Sequence, residues 1–216
     1  MSGFVCARPS MTNRNTYRIL WGILAVALLF AGGLSIAKLT KHQSKPLEDY
    51  GLVPQFSLLD QNDSNVTLDK FRGHVWVADL IFTHCASICP RLTEKMFALQ
   101  TALADEPDVF LASISVDPEH DRPDTLREYA AIHKADTKRW TFLTGQKSAI
   151  FTLAKDGFHL PLDSAGGEQQ IPIVHSPRFV VVDERGHIRA YYDGSKDESQ
   201  KKILDDIDNL RDEAVQ

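Results

Sequence analysis

Cysteine is scarce in this chain. Three occur in 216 residues, at positions 6, 85 and 89, and none follows Cys89. A structural zinc ion would ordinarily recruit four ligands, often from a second Cys/His pair; no second cysteine pair exists here. Basic charge is not in excess either. The net charge of −5 argues against a general nucleic-acid binder, which would show a basic face. No internal repeat or low-complexity tract is present. Hydrophobic content of 43% and charged content of 25% are ordinary for a globular protein. The length suits one domain plus an appendage.

Charge is missing altogether between Arg18 and Lys38, where the chain reads ILWGILAVALLFAGGLSIA. At about 1.5 Å per residue, a helix over 19–37 spans about 30 Å, the thickness of a bilayer core. Trp21 lies near one end, where an indole prefers the interface. The segment is apolar on every face, which argues against a buried core helix. A cleavable signal would have a shorter apolar region and an A-x-A-like site, and no good site is visible. No cysteine follows it in lipoprotein fashion. The expectation is an uncleaved anchor over 19–37, after a cytoplasmic stretch of residues 1–18. Arg8, Arg14 and Arg18 before it nearly balance Lys38, Lys41 and Lys45 after it, and the N-terminal amine tips the balance inward. Residues 38–52 read as a polar linker, and 53–216 as the soluble domain.

Within that domain VWVADLIF (75–82) is a near-continuous apolar run, broken only by Asp79, and predicts a buried central strand. Leu92, Met96, Leu99 and Leu103 then recur at spacings of four, three and four, one face of an amphipathic helix. VFLASISV (109–116) predicts the next strand, and PDTLREYAAIHKA a second helix with Pro123 in its first turn. WTFLTG is a short strand, and QKSAIFTLAKDG a short helix stopped by Gly157. RFVVVDERGHIRAYYDG predicts a hairpin of 178–182 and 187–192 around Gly186. Ile203, Ile207 and Leu210 mark a final helix. This order predicts an α/β sheet covered by helices, in the thioredoxin-like arrangement. FSLLDQNDSNVTLDKFRGH reads as an added N-terminal β-hairpin.

Cys85 and Cys89 stand where the central strand hands over to the first helix. Pro90 favours the opening of that helix, so backbone N–H groups and the positive end of the helix dipole are expected at this turn. Such a site favours thiolate, which is both nucleophile and metal ligand. Three residues separate the thiols, enough for a disulfide or for two sulfurs to diverge around one ion. Two thiolates and an imidazole suit copper, whose Cu(I) form favours sulfur. Of eight histidines, His84 is adjacent but leaves the strand on the other side from Cys85. His42, His74, His120, His133, His159 and His187 read as surface or linker. His175 stands apart in IPIVHSPRFVVVD, a loop that faces the cysteine turn in a thioredoxin-like fold. There the Ser176–Pro177 bond is expected to be cis.

FTHCASICPRLTEKM, SISVDPEHDRPDTLREYA, WTFLTG and VHSPRFVVVDERGHIRAYYDG together resemble the Sco/SenC family over roughly 53–210. Members are membrane-anchored thioredoxin-fold proteins that handle copper during assembly of cytochrome c oxidase. The resemblance implies Cys85, Cys89 and His175 as copper ligands. It gives Asp117 a supporting role near the site, although a helix-capping role fits that residue equally. The chain departs from the family pattern at Ala86 and Ser87, where Pro-Asp is usual, and at Val174, where an aspartate is usual. The function implied is a copper chaperone on the periplasmic face of a bacterial inner membrane. Its partners would be the copper-bearing oxidase subunit and a thiol reductant, with no nucleic acid. The alternative is a thiol–disulfide oxidoreductase using the Cys85/Cys89 pair. A peroxide-reducing thiol enzyme is poorly matched, because the Thr-x-x-Cys pattern of that class is absent.

Overall fold

The computed structural model describes Arg18 and residues 21–24, 46–85, 88–160 and 177–214. It divides into two units, Met1–Lys45 and Pro46–Gln216. In the first, the described residues are helical. Most of the expected anchor lies outside the described residues, and among these no helix is long and apolar enough to cross a membrane.

The described residues of the second unit form seven strands: β1 (Ser57–Asp60), β2 (Asn65–Thr67), β3 (Val75–Ile81), β4 (Val109–Ser115), β5 (Trp140–Thr144), β6 (Arg178–Val182) and β7 (Ile188–Asp193). Four α-helices accompany them: α1 (Cys89–Ala102), α2 (Pro123–Ile132), α3 (Lys147–Thr152) and α4 (Glu198–Ala214). They form one sheet in the order β2-β1-β5-β4-β3-β6-β7. β3, β4 and β5 run parallel, joined by the crossover helices α1 and α2. The β6–β7 hairpin joins β3 antiparallel. The expected N-terminal hairpin is present as β1–β2, and it adds to the sheet antiparallel to β5.

Side chains alternate across a strand, and β3 divides accordingly. Trp76, Ala78 and Leu80 join one buried cluster with Ile114, Leu143, Ile150 and Phe158. Val75, Val77 and Ile81 join the other, with Leu92, Met96 and Leu99 of α1, Leu126 of α2, and Ile203, Ile207 and Leu210 of α4. The helical period expected for α1 is thus the face that packs on the sheet. Asp79 lies in register with the second group, beneath the helices.

One local expectation changes. Gly157 follows α3 at the end of a short π turn, Leu153–Gly157. A Cβ there would come within 3.0 Å of both Leu153 and Pro54, so close packing is what requires glycine. The hairpin turn is the place that uses glycine's backbone freedom, with Gly186 at φ 89°. Pro46 to Val53 runs beside the hairpin, with Tyr50 and Val53 N–H groups donating to the carbonyls of Ile188 and Gly186 at 2.9 Å each. The Arg189 guanidinium donates to the Leu47 and Glu48 carbonyls at 3.1 Å each.

Candidate metal centre

Two parallel strands end side by side at the C-terminal edge of the sheet, where open α/β folds place ligands. β3 leads into the turn carrying Thr83, His84 and Cys85. β4 leads into the turn Asp117–Asp121, and the Val116 N–H donates to the Ile81 carbonyl at 2.9 Å. Cys85 and Cys89 are free thiols, 8% and 4% exposed. Their local backbone explains the pairing. The Cys85 N–H donates to the Phe82 carbonyl at 3.2 Å, closing the turn. α1 begins at Cys89 itself, with Pro90 in its first turn, and the Cys89 N–H donates to the Cys85 sulfur at 3.4 Å. The helix N-terminus therefore presents a donor to Cys85.

At Cys89 the expectation of a stabilised thiolate is corrected. Burial, with the Cys85 sulfur beside it, pushes this thiol up to about 12, against the opposing pull of the Phe82 backbone amide. Desolvation outweighs the helix dipole, which is a partial charge effective mainly within its first turn. Cys89 thus rests as a thiol and must lose a proton to act. Behind it, the Thr93 hydroxyl donates to the Cys89 carbonyl at 3.0 Å and sits 2.8 Å from the Tyr129 hydroxyl. Burial also raises Tyr129 to about 12.

Asp117 is buried next to this turn and does not cap a helix. α2 starts at Pro123 behind Arg122, with no side-chain cap. Instead the Asp117 carboxylate accepts from His120 Nδ1 at 2.9 Å, and its N–H donates to the Ser115 hydroxyl at 3.0 Å. His120, read as a surface residue, is largely exposed, and the hydrogen bond to Asp117 raises its pKa. Asp121 escaped the sequence reading. Fully buried, its carboxylate accepts from the Thr83 N–H at 3.0 Å and from the Thr83 and Ser115 hydroxyls. The only hint in the sequence is a second aspartate four residues after Asp117.

His84 is 69% exposed and lies 3.9 Å from Asp121. Its ring faces that of His120, with centroids 5.8 Å apart. His74, His133 and His187 are half-buried and have local partners: the Asp108 carbonyl, the Tyr129 ring and Asp49. His42, His175, Ala86, Ser87 and the Ser176–Pro177 bond lie outside the described residues. Among the described residues, no group of three or more His, Cys, Asp or Glu side chains is placed to hold a metal ion. Two adjacent buried sulfurs do fit a soft ion, and disfavour a hard one such as magnesium.

The SCO1/SenC family model matches residues 44–212. The chain belongs to that family. A SCO1 protein homolog of Bacillus subtilis is 33% identical over 188 residues, 86% of this chain and 92% of the relative. The structure of BsSco, described with a disulfide switch and as a member of the Sco family of cytochrome c oxidase assembly proteins, superposes with a TM-score of 0.67. It covers 77% of this Sco chain and 98% of its own, at 33% identity. Arabidopsis thaliana ScoI with copper bound gives a TM-score of 0.62 over 75% of this chain and 99% of that one. At 22% identity that likeness is one of fold, and the fold of this Sco protein is thioredoxin-like.

Proposed function

We propose that this Sco protein is a membrane-anchored copper chaperone. It binds one copper ion through Cys85, Cys89 and His175, and delivers it to the copper-bearing subunit of cytochrome c oxidase. The observation that carries this reading is the pair of free, buried, adjacent thiols at the start of α1. Two thiolates are a preferred donor set for Cu(I). Family membership and the relatives' association with oxidase assembly support the client. Transfer proceeds by ligand exchange, client donors replacing the two sulfurs one at a time. A thiol reductant keeps the pair loadable. The anchor over 19–37 holds the domain on the periplasmic face of a bacterial inner membrane, and a reporter that needs export, fused after Gln216, is active there.

A second reading, thiol–disulfide exchange with client cysteines, draws on the disulfide switch described for BsSco. The two readings separate on copper loading. A Cys85–Cys89 disulfide consumes both sulfur donors, so only the reduced protein should compete with a Cu(I)-selective chelator. Equal affinity before and after oxidation would rule out the two-thiolate site and leave the exchange reading.

A further inference from the structure

His84 and His120 stand on the two turns at the C-terminal edge of the sheet, one leaving β3 and the other leaving β4. Both side chains are largely exposed, 69% and 60%. Their ring centroids are 5.8 Å apart, at an interplanar angle of 68°. A metal–nitrogen bond of about 2.0–2.1 Å places two imidazoles that share one ion roughly 4.5–6.4 Å apart, centre to centre, for bond angles from square to linear. The pair lies within that span.

The hydrogen bonds behind the rings decide which nitrogen is available. The ionised Asp117 carboxylate can only accept, and its two oxygens lie 3.0 and 2.9 Å from His120 Nδ1. Nδ1 therefore carries the proton in the neutral ring, and the Nε2 lone pair is left free. His84 reaches the same state through one more group. The Thr83 hydroxyl gives its only proton to Asp121, so its oxygen accepts from His84 Nδ1 at 3.2 Å. Neither Nε2 has a hydrogen-bond partner among the described residues. A ring whose Nδ1–H is held by a carboxylate, directly or through a hydroxyl, is oriented as metal-binding histidines are. Asp117 and Asp121 are both buried, and among the described residues no lysine or arginine pairs with either. Two negative charges thus stand behind the rings.

We propose that His84 and His120 form a second metal site, separate from the sulfur pair, which takes a borderline divalent ion through the two Nε2 atoms. Imidazole suits copper, zinc and nickel, and for a given nitrogen site Cu(II) binds most tightly of these. Two protein donors leave the remaining positions to water, an arrangement that tetragonal Cu(II) accepts. The site needs no thiolate, so it stands whether or not Cys85 and Cys89 hold copper. A purely structural contact between Asp117 and His120 would pin the turn and confer no metal affinity.

The test uses the full chain carrying Cys6→Ser, Cys85→Ser, Cys89→Ser and His175→Ala, which removes every donor of the sulfur site. It is titrated with Cu(II) against glycine as a weak chelator, at about pH 8, where imidazole is neutral. If this variant does not fold, Cys6→Ser with Cys85 and Cys89 oxidised to a disulfide takes its place. One equivalent should bind, with an electron paramagnetic resonance spectrum showing two coordinated imidazole nitrogens. His84→Gln and His120→Gln should each leave one nitrogen in that spectrum and weaken binding by at least about 10-fold. Asp117→Asn should weaken it about 10–100-fold, the usual cost of losing the group behind a ligating histidine. His74→Gln, at a histidine outside the pair, should change nothing. Affinity unmoved by His84→Gln and His120→Gln, or lowered equally by His74→Gln, means an adventitious ion only and overturns the site. Unchanged affinity in Asp117→Asn, with losses in the two histidine variants, overturns the orienting role of Asp117.

Discussion

Thr83 is tied to Asp121 by two hydrogen bonds, one from its backbone N–H at 3.0 Å and one from its hydroxyl. These bonds cross between the turn that carries Cys85 and the turn that carries Asp117. Asp121 also accepts from Ser115 at the end of β4, so one buried carboxylate fixes both loops against the sheet edge. The position of Cys85 depends on an aspartate 36 residues further along the chain.

Removing that carboxylate should loosen the cysteine turn before it unfolds the domain. Asp121→Ala leaves the Thr83 N–H and two hydroxyls without their acceptor, at about 1–3 kcal/mol for a buried group left unsatisfied. The expected outcome is a lower denaturant midpoint together with faster alkylation of Cys85. A variant with wild-type alkylation kinetics would show that the turn holds its shape by other contacts.

His120 offers a pH readout beside the site. Its pKa is raised, chiefly by the hydrogen bond to Asp117 and then by the charge of that carboxylate. The sign follows from linkage: a raised histidine pKa means a contribution fully present below the unfolded value of about 6.5. That contribution is lost as pH rises through the folded pKa. An NMR titration should place His120 above its ordinary value in the wild-type protein and return it downward in Asp117→Asn. Identical titrations in the two proteins would remove the pairing.

Gly194 is a steric test of how tightly the hairpin meets α1. A Cβ there would stand 2.2 Å from Leu92 Cδ2 and 3.1 Å from Phe179. Leu92 is buried in the first turn of α1 and has little room to yield. Gly194→Ala should destabilise the domain by about 1–3 kcal/mol, the range for overpacking a dense core. It should also disturb copper loading more than a surface substitution does. Thermal unfolding and chelator competition on the same protein check both.

His175→Ala separates the oxidation states of copper under the proposed ligand set. Cu(I) is soft and content with low coordination, so two thiolates should retain much of its affinity. Cu(II) favours nitrogen donors and a higher coordination number, so its binding and its thiolate absorption band should fall far more. Cys85→Ser and Cys89→Ser should damage both. Intact Cu(II) binding in His175→Ala would remove that residue from the ligand set.

Local pattern was enough for a good part of this protein. The four-three-four spacing of Leu92, Met96, Leu99 and Leu103 announces a helix because 3.6 residues make a turn, and all four are buried where α1 meets the sheet. Cys89 followed by Pro90 announces the start of that helix for an equally local reason. The run 75–82 reads as a buried strand because both its faces are covered. What local pattern could not contain is everything set by contacts distant in the chain. The β1–β2 hairpin precedes β3 in sequence yet pairs with β5, since strand order is a matter of tertiary packing. Asp117 sits before a helix and reads equally as a cap, until α2 is seen to start at Pro123 and the carboxylate to turn toward His120. The state of Cys89 depends on distant contacts for the same cause. A helix dipole is visible in the sequence, whereas the desolvation that overrides it comes from the surrounding packed core. Asp79 shows both sides: its presence in an apolar strand is plain from the sequence, but only the folded sheet leaves its Oδ2 without a hydrogen-bond partner among the described residues.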